Sequence, residues 1–405
     1  MVEKIALYGG KPVREESLVF GAPLIAEDEI AEVVDTLRSG WLSTGPKTSR
    51  LEEEFGRYIG AKHAIALNSC TAGMILALEE LGIGPGDEVV TSPITFAATV
   101  NVIVQAGATP VFVDVEPDTL NIDAGLIESK INERTKAILP VHFAGHPCQL
   151  DKITALANKY DLYILNDAAH SIESEFAGKK IGQWGDLTAY SFYVTKNMVT
   201  GEGGMVVTNN DDWADNMQIK RLHGISRDAW RRYSGEGGSE IYDIVFPGYK
   251  FNMMDIQAAL GLGQLAKLDN YWKIRERIFN CYNDGLADLG ELITPAAKDG
   301  VRHAYHLYVL QIKLEELGVD RNEIIRALRA ENICTGVHFI AVHHHSFYRA
   351  HFPQPAGSLS RADYASDRVI SLPLSARLTD QDANDVIKAV HKVVAYYREQ
   401  KQQGT

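Results

Sequence analysis

The chain has 405 residues, 45% of them apolar, enough to bury a large core divided between about two domains. Its formal charge is -13, from 53 acidic against 40 basic residues, and no Lys/Arg-rich block occurs. That opposes an extended nucleic-acid footprint and leaves room for local anion pockets only. No apolar run approaches the roughly 18 residues of a membrane span, and the amino terminus lacks a signal-peptide core, so no membrane role and a cytoplasmic location are expected. Cys70, Cys148, Cys281 and Cys334 are far apart, which argues against a disulfide framework or a cysteine-rich zinc site.

From about residue 60 to 210, short β-branched runs alternate with helical patterns. Strands are expected at His63–Leu67, Glu88–Thr91, Pro110–Asp114 and Ala137–Val141, with helices at Thr71–Leu81, Phe96–Gln105 and Asp151–Lys159. Two further runs, Leu162–Leu165 and Leu187–Phe192, complete an α/β pattern with a mostly parallel sheet covered by helices. No G-x-G-x-x-G follows the first strand, so a dinucleotide phosphate loop is missing. Asp255–Leu286 carries apolar residues at near-helical spacing and reads as a long helix, although Gly261 and Gly263 weaken its first turns. A strand at His306–Ile312 and helices at Asp320–Glu331 and Asp380–Gln400 then indicate a smaller α+β domain. The division expected is residues 1–265 for the N-terminal segment and large domain, and 266–405 for the interdomain helix and small domain.

The two runs ending near Asp167 and Lys196 carry the chemistry. If both are strands of one parallel sheet, their carboxyl ends place an acid and an amine in the crevice where open α/β sheets bind ligands. An amine there can form a Schiff base with an aldehyde, and a carboxylate can keep a pyridine nitrogen protonated. Read singly, Asp167 also fits a helix cap and Lys196 a solvated surface lysine. After the first strand, Asn68-Ser69-Cys70-Thr71-Ala72-Gly73 leads straight into a helix, a place where backbone N–H groups and the Thr71 hydroxyl suit one phosphate monoester, or where Ser and Thr are plain caps. Ser191 offers a second hydroxyl. The tract His343-His344-His345 tempts a metal assignment, but without a dense Cys/Asp/Glu set beside it the expectation is solvated loop histidines and no metal.

Ser43-Thr44-Gly45-Pro46, Ser69-Cys70-Thr71-Ala72-Gly73, Asp167-Ala168-Ala169-His170, Ser191-x-x-x-Thr195-Lys196-Asn197, Gly201-Glu202-Gly203-Gly204 and Gly248-Tyr249-Lys250-Phe251-Asn252 occur in this order. As a set they resemble the StrS-type sugar-nucleotide aminotransferases (DegT/DnrJ/StrS), fold type I pyridoxal-phosphate enzymes. The resemblance extends from about residue 20 to the end, and is nearest to the branch that makes UDP-4-amino-4-deoxy-L-arabinose.

The resemblance implies that Lys196 holds pyridoxal 5'-phosphate as a Schiff base, with the pyridoxamine form arising during turnover, and that Asp167 pairs with the ring nitrogen. It places Phe96 and His170 beside the ring, Thr71, Ala72 and Ser191 on the phosphate, and Asn252 on the phosphate of a neighbouring subunit, hence a homodimer with shared active sites. Trp41, Ser43, Thr44, His338 and His343 become substrate-facing candidates. The implied substrates are a nucleotide-linked keto sugar and glutamate, giving an amino sugar and 2-oxoglutarate. Two departures stand out: Asn166 occupies a position commonly Glu, and Tyr193 one commonly His. A related dehydratase branch carries His where Lys196 stands, and a non-catalytic, cofactor-binding regulator is the alternative from another class.

Overall fold

The structure is a computed structural model that describes residues 3–226 and 242–404. Its first nine strands are β1 (His63–Leu67), β2 (Glu88–Thr91), β3 (Thr109–Phe112), β4 (Thr135–Leu139), β5 (Tyr163–Asp167), β6 (Glu175–Phe176), β7 (Lys179–Lys180), β8 (Leu187–Ser191) and β9 (Gly204–Thr208). Seven of them form one sheet in the order β1-β9-β8-β5-β4-β2-β3. Neighbours are parallel except the two pairs made by β9, which runs against both β1 and β8. A parallel neighbour needs a long crossover, and β8 is joined to β9 by a loop without one, so β9 must return antiparallel. That loop carries Lys196.

The strands bury both faces. Ile65 and Leu67 of β1, Ala189 of β8 and Val206 of β9 pack under the helices Cys70–Glu80 and Asp211–Lys220. Ala64, Ala66, Tyr190, Met205 and Val207 point the other way, toward the helix Pro46–Ile59 and the start of the helix Asp255–Leu286. This period of two sets the register, since a one-residue slip would exchange the faces. Expected strand ends shift slightly: β4 stops at Leu139 because Pro140 has no N–H to continue the ladder.

The long helix spans Asp255–Leu286 without a break. Its two doubtful glycines are close-packing positions. A Cβ on Gly261 would lie 3.0 Å from Leu51 Cδ2, and one on Gly263 would lie 2.4 Å from Glu29 Cγ, so their absence lets two N-terminal helices rest against it. Its far end enters the small domain, where β10 (Leu292–Ile293), β12 (Tyr308–Ile312) and β13 (Val369–Leu372) form an antiparallel sheet. Between β10 and β12, β11 (Val301–Arg302) instead pairs with β6 and ties the small domain to the large one. The strand expected from His306 begins at Tyr308, because the N–H groups of His306 and Leu307 both donate to the Ala144 carbonyl at 3.1 Å. Ile278, Phe279, Tyr282, Tyr308, Ile324 and Val390 build the small-domain core, and the amino-terminal Ile5 is buried among them.

Candidate active site

β5 and β8 are adjacent and parallel, with Asp167 opposite Ala189, so their carboxyl ends open on the same edge. There a cavity of about 620 Å³ is lined by Thr71, Phe96, Asp167, His170, Ser191, Lys196 and His338, together with Cys70, Thr99, Tyr193, His306 and Phe339. The fold thus brings the acid, the amine and most of the expected neighbours to one place.

Asp167 is buried at the last position of β5. Its Oδ2 accepts from Thr99 Oγ1 at 2.6 Å and its Oδ1 from the Ala169 N–H at 3.1 Å. Thr99 in turn shares a hydrogen bond with Thr95 at 2.7 Å, one helical turn earlier. Burial pushes the Asp167 carboxyl upward, while these bonds and the field of Lys196 oppose the shift. The sequence reading missed Thr95 and Thr99; hydroxyls four residues apart across a helix start were the available signal.

Lys196 lies five residues beyond β8, and its ammonium is brought down to about 8 by loss of hydration, with Asp167 acting the other way. An amine in this range is a competent nucleophile and base near neutral pH. His170 is buried, and its Nδ1 accepts from the Ala144 N–H at 3.2 Å, so its hydrogen resides on Nε2. Burial and the nearby Lys196 hold it well below the usual histidine range. His338 is brought to about 4 by the same causes, bonds Ser371 Oγ through Nδ1 at 2.8 Å, and stacks on Phe20.

Ser69 caps the helix Cys70–Glu80, its Oγ accepting from the Ala72 N–H at 3.1 Å. Ala72 is therefore already engaged, and the helix-start N–H groups without an intrahelical acceptor ahead of it are those of Cys70 and Thr71. Gly204, at the start of β9, passes this turn so closely that a Cβ would lie 2.4 Å from the Cys70 nitrogen. Phe96 caps the helix Ala97–Gln105 and is 64% exposed at the cavity mouth.

Other expected residues lie outside the cavity lining. Asn252 is buried, bridges Leu67, and donates from Nδ2 to Thr44 Oγ1 at 2.7 Å. Thr44 donates to the Met253 carbonyl, and Trp41 Nε1 to the Thr44 carbonyl at 3.2 Å. Ser43 is exposed, and its carbonyl accepts from the Asp255 N–H. Asp255 secures the loop by accepting from the N–H groups of Gly45, Lys47 and Thr48. Its carboxylate thus caps the helix Pro46–Ile59 from the start of the long helix.

The histidine tract is more ordered than a solvated loop. His343 is buried, and His343 Nε2 and His344 Nε2 each lie 2.8 Å from Asp363 Oδ1, the acid that the local sequence did not show beside them. Asn166 is accounted for by neutral partners: Nδ2 donates to the Trp184 carbonyl and Thr188 Oγ1, and Oδ1 meets His142 Nε2 at 3.1 Å. His142, brought to about 4 by burial, is a neutral donor there, so an amide suits the position. Tyr193 sits at the cavity rim, 45% exposed.

The chain is similar to known proteins over most of its length. Residues 23–391 match the DegT/DnrJ/EryC1/StrS aminotransferase family. The spore coat polysaccharide biosynthesis protein SpsC of Bacillus subtilis is 49% identical over 382 residues, covering 94% of this chain and 98% of the relative. Spr1654 from Streptococcus pneumoniae, solved in a PMP-form and a PLP-form, superposes with TM-scores of 0.87 and 0.86 at 34% identity, each covering 94% of this chain and 100% and 99% of its own. Helicobacter pylori PseC, an aminotransferase involved in the biosynthesis of pseudoaminic acid, reaches 0.86 at 29% identity, covering 94% of this chain and 100% of that one. With its α/β large domain, smaller α+β domain and lysine at the sheet edge, the chain has the architecture of a fold type I aminotransferase and belongs to the DegT/DnrJ/EryC1/StrS aminotransferase family.

Proposed function

We propose that the protein is a pyridoxal-phosphate-dependent aminotransferase acting on a nucleotide-linked keto sugar, a UDP-4-keto pentose or hexose, with glutamate as amino donor. The observation that carries it is the buried Asp167 and the depressed Lys196 in one cavity. The donor set fits the cofactor. Lys196 would supply an amine at the aldehyde, Asp167 a carboxylate for the ring nitrogen, Phe96 and His170 flat faces, and Thr71 and Ser191 hydroxyls for the phosphate beside the helix start. When bound, the cofactor supplies an electron sink for charge developing at the substrate carbon.

The chain's own part is proton handling and orientation. Lys196 Nζ, neutral in a substantial fraction near pH 8, removes a proton from the carbon bearing the donor nitrogen and returns one to the sugar's former keto carbon. Asp167, held by Thr99 and the Ala169 N–H, is the carboxylate that would keep the cofactor's ring nitrogen protonated. His338 and the loop from Trp41 to Thr44 are assigned to the sugar nucleotide, as is His343. The part of SpsC in spore coat polysaccharide biosynthesis and that of PseC as an aminotransferase in the biosynthesis of pseudoaminic acid support an amino sugar destined for a polysaccharide. Among the described residues no helix is long and apolar enough to cross a membrane; a cytoplasmic location is part of the same proposal.

A homodimer with shared sites belongs to the same reading. Phe96, Tyr193 and Val194 are exposed at or beside the cavity, a surface that a partner subunit would cover. Asn252 is assigned to the neighbouring site.

The test is amination with ¹⁵N-glutamate and a panel of UDP-linked 4-keto sugars, read by mass and NMR analysis of the product. Nitrogen appearing on the sugar carbon, and a loss of about 10²-fold or more in Lys196→Ala even at saturating cofactor, is the expected result. A deoxygenated keto sugar without nitrogen would assign a dehydratase instead.

A further inference from the structure

One buried polar cluster behind Lys196 has no part in the chemistry above. Asn197 follows Lys196 and is buried, with every side-chain polar atom engaged. Its Nδ2 donates to Glu173 Oε2 at 2.9 Å and to the Ala304 carbonyl at 2.8 Å, and its Oδ1 lies 3.0 Å from His306 Nδ1. Rotating the amide by half a turn would aim its oxygen at a carboxylate and a carbonyl together. The orientation is therefore fixed, Oδ1 is an acceptor, and the hydrogen of His306 resides on Nδ1.

An imidazole with one hydrogen on Nδ1 has a bare Nε2. His306 is kept neutral by burial and by the positive or ring-nitrogen groups that face it, His170, Lys196, Arg275 and His338. His170 has the opposite arrangement, since Ala144 donates to its Nδ1. The two ring centroids are 4.5 Å apart, and both residues line the cavity.

We propose that Asn197 is a positioning residue that presents His306 to the Lys196 cavity as a neutral ring with a bare Nε2, an acceptor for an N–H or O–H group of the substrate, while His170 presents the complementary N–H. Glu173 supports the device from behind. Its Oε1 has no hydrogen-bond partner, so a proton there leaves the Oε2 contact to Asn197 intact. The role of His306 toward substrate rests on the function proposed above; the state of the ring does not.

The experiment is ¹⁵N NMR of the full-length, cofactor-free protein with labelled histidine, the His306 signals being identified by their loss in His306→Gln. In the wild type, Nδ1 protonated and Nε2 bare from about pH 6 to pH 8 is expected, the range in which an ordinary histidine titrates. In Asn197→Asp, a carboxylate beside Nδ1 should stabilise the imidazolium, so that the second nitrogen takes up its proton at a pH at least about one unit above that of the wild type. In Asn197→Ser, the second hydrogen-bonding arrangement becomes accessible and a mixture of the two neutral forms should appear. A wild-type ring protonated on Nε2, or a His306 signal unchanged in whichever of the two variants folds, would overturn the proposal. Neither measurement requires aminotransferase activity, so failure of the functional reading and failure of this one remain distinct.

Discussion

Lys196 holds its proton weakly because the folded chain solvates its ammonium poorly, and Asp167 only partly compensates. Acylation of the cofactor-free protein followed by peptide mapping should therefore give a reactivity midpoint for Lys196 near 8, against 10.5 for an ordinary lysine, and Asp167→Asn should lower it further by removing the favourable charge. A midpoint above 10 would contradict the poorly solvated amine. Glu173 is shifted in the opposite sense for an acid: burial raises its carboxyl from 4.5 to about 7, with Arg275 opposing. The folded state then binds a proton that the unfolded chain has released, so this group's contribution to stability falls as pH rises from 4.5 to about 7. Glu173→Gln removes that dependence, and relative to wild type it should gain up to about 3 kcal/mol across the window. Denaturant midpoints measured at both ends of the range give the difference, and parallel pH profiles for the two proteins would rule the shift out.

The loop between β8 and β9 depends on tight contact where it enters β9. Gly204→Ala would drive a Cβ against the Ser69 and Cys70 backbone, and should cost about 1–3 kcal/mol with weaker cofactor binding as the helix start is displaced. Thermal unfolding with and without pyridoxal phosphate separates the two effects. Element type and order were largely legible from residues 60 to 210, because β-branched runs and helical spacing recur there with clear breaks. The meeting of Asp167 and Lys196 in one cavity was legible too, since strand ends in a parallel sheet share an edge. What the sequence concealed was the second layer. Thr99 on Asp167 and Asp255 on the Pro46 helix join residues 68 and 207 positions apart, and Asp363 meets His343 from 20 residues on; the Thr95/Thr99 spacing marked a hydroxyl pair but not its partner. Gly263 misled for a related reason: its weak helix propensity is outweighed by close packing on Glu29 that only the tertiary structure displays.

At the scale of the molecule, the exposed Phe96 and the position of Asn252 motivate a site completed by two subunits. Mixing Lys196→Ala and Asn252→Ala chains and allowing exchange should restore activity above either parent, because one site of the mixed dimer receives both defects and the other neither. Full exchange confirmed by mass, with no recovery, would count against a shared site. The central claim is that this fold presents Lys196, and no other lysine, to the cofactor aldehyde. Borohydride reduction of the holoprotein followed by peptide mapping tests it most directly: the account predicts the pyridoxyl group fixed on Lys196, and a pyridoxyl group found on a different lysine, with Lys196 unmodified, would contradict it.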